Sequence, residues 1–138
     1  MEQSPEIKNL VLRYYEAISR RDSCFIERLM SHQDGLLVIG TDPEEWWTGY
    51  ENVIAIFKEQ MEEMGSGFSI VPGDLQAFVE GTVGWVADRA KLCLSNGIEI
   101  PIRLTAILHR ENGGWKLVQR HFSIGVRNEE MLEKVLTV

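Results

Sequence analysis

Apolar residues recur every third or fourth position in three stretches of the chain and every second position in a later block, and this change of period predicts its elements. Ile7, Leu10, Val11, Tyr14, Tyr15 and Ile18 form a stripe at helical spacing, which predicts a helix from Pro5 to Arg20. Ser4 is placed to cap it, and Pro5 suits a first helical turn, where its missing N–H costs nothing. A short second helix, Cys24 to Met30, follows Asp22 and Ser23 and turns Phe25, Ile26 and Leu29 inward. A third, Tyr50 to Met64, carries Val53, Ile54, Phe57 and Met61 on one side and stops at Gly65 and Gly67. Between them, Leu36 to Ile39 reads as a short buried strand closed by Gly40-Thr41-Asp42-Pro43. The next segment, Glu44 to Gly49, sets two adjacent tryptophans beside two acids and follows no regular period. Phe68 to Val79 reads as an irregular edge strand interrupted at Pro72-Gly73-Asp74.

From Thr82 onward the period is two. Strands are predicted from Thr82 to Ser95 and on both sides of Asn112-Gly113 within Ile98 to Val126. Asn-Gly at 96–97 and again at 112–113 supplies the dipeptide that tolerates the positive φ angles of a type I′ hairpin turn. The result is a meander of three long antiparallel strands, followed by a short amphipathic helix from Asn128 to Leu136. Treating each Asn-Gly as a two-residue turn sets a register. Leu104 then faces His121, Ala106 faces Gln119 and Leu108 faces Leu117, with Trp85, Ala87 and Arg89 opposite Leu108, Ala106 and Leu104. All would share one face, mostly apolar but with a histidine, an arginine and a glutamine, a mixture suited to the floor of a pocket. The other face would carry Asp88, Arg103, Thr105, Ile107, Val118, Arg120 and Phe122. Charged and apolar residues so mixed fit a homodimer interface, with a half-solvated outer face as the alternative. Helices first and then a run of strands predict an α+β fold, a curved antiparallel sheet wrapped around the N-terminal helices.

Length and composition narrow the picture. The 138 residues make a single domain, 1–138, able to bury roughly two-thirds of its unfolded surface. A net charge of −7 argues against nucleic-acid binding through a general basic footprint. No apolar run reaches the roughly 20 residues of a membrane helix, and the polar, acidic Met1 to Leu10 does not read as a signal peptide. A cytoplasmic location is expected, with Cys24 and Cys93 both reduced and buried. The histidines and cysteines show no metal-ligand spacing, and phosphate-loop and serine-nucleophile motifs are missing, so neither a metal nor a cofactor is expected.

The motifs RYYEAISRRD, LLVIGTDPEEWWTGYENVIAIFK and GGWKLVQRHFS, in that order, resemble the SnoaL-like branch of the nuclear transport factor 2-like (ketosteroid isomerase-like) superfamily. The resemblance spans about Pro5 to Val126. It implies a cone-shaped α+β barrel open at one end, usually paired as a homodimer through the sheet, a fold that serves isomerases, cyclases, dehydratases, binders and structural modules alike. Arg13-Tyr14 looks like the pair whose tyrosine donates to a developing oxyanion in the ketosteroid isomerases. The position of their catalytic base falls near Gly40 and that of their second acid near Ala106, so two of the three groups are missing.

Three functional readings remain open. The chain is a pocket protein for a small, largely hydrophobic molecule; or a proton-transfer enzyme using Tyr14 and His121, with Asp42 as base or partner; or a dimerising scaffold whose cone is filled by its own tryptophans. Trp47, Trp85, Arg89, Leu104, Ala106 and Gln119 are the candidate ligand contacts. Each catalytic candidate has a plainer alternative: a hydrogen-bonded core histidine for His121, a core tyrosine for Tyr14, a turn aspartate for Asp42. Arg89 meets either a ligand oxygen or an acid such as Glu44 or Glu45.

Overall fold

A two-residue strand, β1 (Glu2–Gln3), precedes helix α1 (Pro5–Arg20), and a computed structural model describing residues 1–136 shows why that helix has these bounds. The Ser4 side chain accepts the Ile7 N–H, and Arg21, in the left-handed region at φ 57°, returns its own N–H to the Ala17 and Ile18 carbonyls. Asp22 then caps α2 (Ser23–Leu29) by accepting from the Phe25 N–H. Strands β2 (Leu37–Ile39) and β3 (Trp46–Thr48) follow, then α3 (Tyr50–Met64). The irregular stretch divides into β4 (Ser69–Val71) and β5 (Gln76–Glu80). The meander is β6 (Val83–Cys93), β7 (Glu99–Glu111) and β8 (Gly114–Ser123), and α4 (Asn128–Leu136) comes last.

The fold is α+β. One eight-stranded sheet runs in the order β1-β5-β6-β7-β8-β2-β3, with β4 paired to β6 beside this path. Its pairs are antiparallel except one: β2 lies parallel to β8, with Leu37 beside Gln119 and Ile39 beside His121. The tryptophan segment that follows no period is the edge strand β3, antiparallel to β2. Ile7, Val11, Tyr14, Tyr15 and Ile18 of α1 are buried together with Val86, Ala90, Leu104, Ala106 and Leu108 of the sheet.

The register differs from the expected one at two points, each with a local cause. At Asn112-Gly113 both residues have positive φ, 50° and 81°, and the two-residue turn forms as predicted. Leu108 therefore faces Leu117, but between Ile107 and Leu108 the pairing slips, because β8 carries an extra residue, Val118. Beyond this bulge Ala106 faces Arg120 and Leu104 faces Phe122. A one-residue slip moves side chains to the opposite face, so Arg120 and Phe122 point inward while Gln119 and His121 point outward. At the other hairpin Leu94 bonds to Ile98, and three residues rather than two make the turn. Ala106 consequently faces Val86, and Leu104 faces Asp88. Trp85, Ala87 and Arg89 are thereby on the outer face and Asp88 on the inner one. Cys24 is exposed and Cys93 half-buried; both are free.

Candidate functional site

The inward turn of β8 puts a guanidinium into the core. Arg120 is only 7% exposed, and its carbon skeleton rises from the sheet beside Phe122, with the guanidinium carbon 4.3 Å from the centre of that ring. Its Nη1 donates to the Tyr14 hydroxyl at 3.2 Å and its Nη2 to the Ile39 carbonyl at 3.1 Å. Its Nε–H has no hydrogen-bond partner among the described residues. No carboxylate among the described residues forms an ion pair with it, which is unusual for a buried charge.

Arg120 borders a cavity of about 250 Å³. Ile18 from α1, Phe57 and Met61 from α3, and Phe68, Ile70, Leu92, Ile102 and Phe122 from the sheet side make its wall. The polar groups are few: Arg120 within, Glu45 and Gln60 beside it, and the exposed Thr41 and Glu63 toward the mouth. Glu45 is held in place. Its Oε2 accepts from Gln60 Nε2 and its Oε1 from the Asp42 N–H, both at 2.8 Å. Its side chain occupies the space a Cβ would need at position 40, within 2.7 Å, so only glycine fits at Gly40 without displacing it. An apolar chamber with a few fixed polar groups is the usual form of a small-molecule site.

A second buried charge lies on the same inner face but serves the backbone. Asp88, 5% exposed, accepts the Tyr15 hydroxyl on Oδ2 at 2.8 Å and the N–H groups of Gly73 and Asp74 on Oδ1 at 3.2 and 2.8 Å. It thus anchors the Pro72-Gly73-Asp74 break to the sheet. The chain passes so close there that a Cβ on Gly73 would sit 1.7 Å from the Arg89 carbonyl oxygen. Burial, and then the hydrogen bond and charge of Asp88, push the Tyr15 hydroxyl well above the usual tyrosine range.

The expected site residues fare unequally. His121 is exposed on the outer face, opposite Thr105, and so lies outside the cavity. Asp42 is an exposed turn residue whose Oδ1 accepts the Glu44 N–H at 2.9 Å. Tyr14 is buried behind Arg120, where it borders a void of about 10 Å³ together with Trp47, too small to hold a water comfortably. Trp85 stacks on Phe78 outside, with ring centres 6.3 Å apart, and Arg89 is exposed directly opposite Arg103. Gln119 is half-buried on the outer face. Leu104 and Ala106 do face inward, but in the packed core away from the cavity. Of the expected interface residues, Arg103 and Thr105 stay outside, whereas Arg120 and Phe122 turn inward. The sequence reading missed Glu45 and Gln60 as cavity residues, although Gln60 lies one turn beyond Ile56 and Phe57 on α3 and was legible from helical spacing. Among the described residues no cluster of three or more His, Cys, Asp or Glu could hold a metal ion.

With this geometry in view, the SnoaL-like domain model matches residues 7–127. The chain belongs to the SnoaL-like family. Solved structures of this fold superpose on most of it. An NTF2-like protein of unknown function from Pseudomonas putida KT2440 is 19% identical with a TM-score of 0.79, covering 91% of this chain and 88% of that one. An NTF2-like superfamily protein from Salmonella enterica serovar Typhimurium LT2 is 18% identical, with a TM-score of 0.76 over 89% and 91% of the two chains. A candidate dehydratase of the NTF2-like family from Streptomyces avermitilis is 17% identical, with a TM-score of 0.74 over 88% and 96%. At such identities these likenesses concern the fold. No curated protein matches the chain. No described helix is long and apolar enough to cross a membrane.

Proposed function

We propose that this SnoaL-like protein binds a small, largely hydrophobic molecule in the cavity between α1, α3 and the inner sheet face. The observation that carries the reading is the chamber of about 250 Å³ with apolar walls and a few fixed polar groups. It has room for about eight waters by volume, and apolar walls hold water poorly, so an organic ligand is the better occupant. The tryptophans do not fill it: Trp46 is exposed, Trp47 packs on the far side of Arg120, and Trp85 is outside. That favours a binder over a plugged scaffold. Proton transfer by Tyr14 and His121 gains no support, since His121 faces away from the chamber. Of the two carboxylates that border it, Glu45 is already engaged by Gln60 and the Asp42 backbone, and Glu63 is exposed to solvent.

We extend the proposal to self-association through the outer sheet face, where Arg103, Thr105 and the 39%-exposed Ile107 remain side by side on β7. Native mass spectrometry of the purified protein tests both points. Expected are a bound organic species, lost when Ile102→Trp fills the chamber, and a dimer mass. A bare protein that also takes up no apolar probe overturns the binding reading; a monomer at micromolar concentration overturns the self-association.

A further inference from the structure

The buried Arg120 goes further than the chamber as a whole, because it narrows the chemistry of the occupant. Guanidinium groups carry five N–H donors and stay charged at any pH the protein meets. Here Nη1 and Nη2 each spend one hydrogen bond on a neutral oxygen, Tyr14 Oη and the Ile39 carbonyl, and the Nε–H spends none. Among the described residues a cation so placed lacks both its counter-charge and part of its hydrogen bonding, and it lines the cavity. Resting on the binding reading above, we infer that the natural ligand is a hydrophobic carboxylic acid, bound as its anion with the carboxylate on Arg120 and its apolar body along Phe57, Ile70, Ile102 and Phe122.

The remaining charges of the site are compatible with a single negative charge at that depth. Glu45 has one oxygen held by Gln60 and the other by the Asp42 N–H, which disperses its charge. Glu63 is exposed at the mouth, where solvent and salt screen it, whereas a carboxylate touching Arg120 lies in a poorly solvated interior. These same acids disfavour a dianion, and one guanidinium cannot neutralise two charges. That selects a carboxylate over a phosphate monoester, and an anion over a neutral amide or alcohol of the same length.

The test is a matched panel of eight-carbon probes, octanoate, octanamide, octan-1-ol and octyl phosphate, titrated into the purified full chain at pH 7 by calorimetry or methyl NMR. Octanoate is expected to bind at least about tenfold tighter than octanamide or octan-1-ol, a margin set by one charge-assisted contact. In Arg120→Gln the ratio falls to near one, and in Arg120→Lys, which keeps the charge without the fork, part of it survives. Circular dichroism establishes that the variants fold; should neither fold, the wild-type panel alone decides. If octan-1-ol or octanamide binds as tightly as octanoate, the acid assignment is overturned while the apolar chamber stands. Tighter binding of octyl phosphate overturns the choice of carboxylate. Binding of none of the four overturns the chamber reading itself.

Discussion

Asp88 and Arg120 are opposite cases of a buried charge, and the contrast begins with their partners. Asp88 accepts three hydrogen bonds within the fold, from Tyr15, Gly73 and Asp74, and so needs no ligand. Among the described residues Arg120 makes two and its Nε–H finds no partner. Tyr15→Phe removes the donor to Asp88 Oδ2 and strands a buried carboxylate oxygen, for which a loss of about 1–3 kcal/mol is expected in urea unfolding at pH 8. Linkage makes that loss depend on pH. The folded-state pKa of Tyr15 is raised, by burial first and by Asp88 second, so its stabilising contribution is complete below the unfolded value near 10. Above that pH the unfolded chain releases the proton while the folded chain retains it, and stability falls as pH rises. By pH 11 the gap between wild type and Tyr15→Phe is expected to narrow by about 1.4 kcal/mol. A gap of the same size at both pH values would show that Tyr15 ionises normally in the folded protein. None of this pairing was legible from the sequence, in which Tyr15 and Asp88 stand 73 residues apart.

At the scale of elements, the helices were the most legible part, because an apolar stripe of several turns agrees with a stop or cap signal, Ser4 before α1 and Gly65 after α3. Pro5–Arg20 and Tyr50–Met64 form within the bounds that the stripe and the glycines predict. The strands were equally visible, but their faces were not. Alternation has only two phases, so one unpaired residue exchanges them, and Val118 is a β-branched residue with no glycine or proline to mark it. The same holds at Asn96-Gly97, where Gly97 at φ 88° takes the left-handed position of a three-residue loop that the dipeptide alone does not distinguish from a two-residue one. The bulge sent His121 out and Arg120 in, and the longer turn sent Trp85 and Arg89 out and Asp88 in, and with them went the candidate site. The parallel pairing of β2 with β8 links residues some 80 positions apart, and no local pattern announces it. The bulge itself can be tested by removing its extra residue. Deleting Val118 joins Leu117 directly to Gln119, which restores plain alternation and leaves Arg120 and Phe122 pointing inward. The variant is expected to fold with the Arg120 Nε–H still protected from exchange, at a cost of about 1–3 kcal/mol for the lost bend in β8. Rapid exchange at Arg120 in a folded variant would mean that the bulge does more than set the phase.

For the whole molecule, the sheet, α1 and α3 together leave a chamber that the core does not fill and one cation that the core does not neutralise. Proteins of marginal stability tolerate such a defect where it serves binding, and repair of the defect then trades function for stability. The charge of −7 overall does not supply the missing partner, because no carboxylate among the described residues forms an ion pair with Arg120. Arg120→Met makes this trade measurable. Methionine has similar reach, adapts to irregular space and carries no charge, so the desolvation cost of the guanidinium disappears. Against that stands the loss of two hydrogen bonds, to Tyr14 and to the Ile39 carbonyl, and of the cation–π contact with Phe122, each worth about 1 kcal/mol net. An uncompensated buried cation costs several kcal/mol, so the balance favours the variant, and the ligand-free protein is expected to gain about 1–2 kcal/mol in denaturant unfolding. Octanoate should reverse the order. At a hundred times its dissociation constant it stabilises the wild type by about 2.7 kcal/mol and leaves Arg120→Met nearly unchanged. An Arg120→Met protein less stable than wild type without ligand would show instead that the guanidinium is satisfied where it stands and that its two bonds hold α1 to β2 and β8.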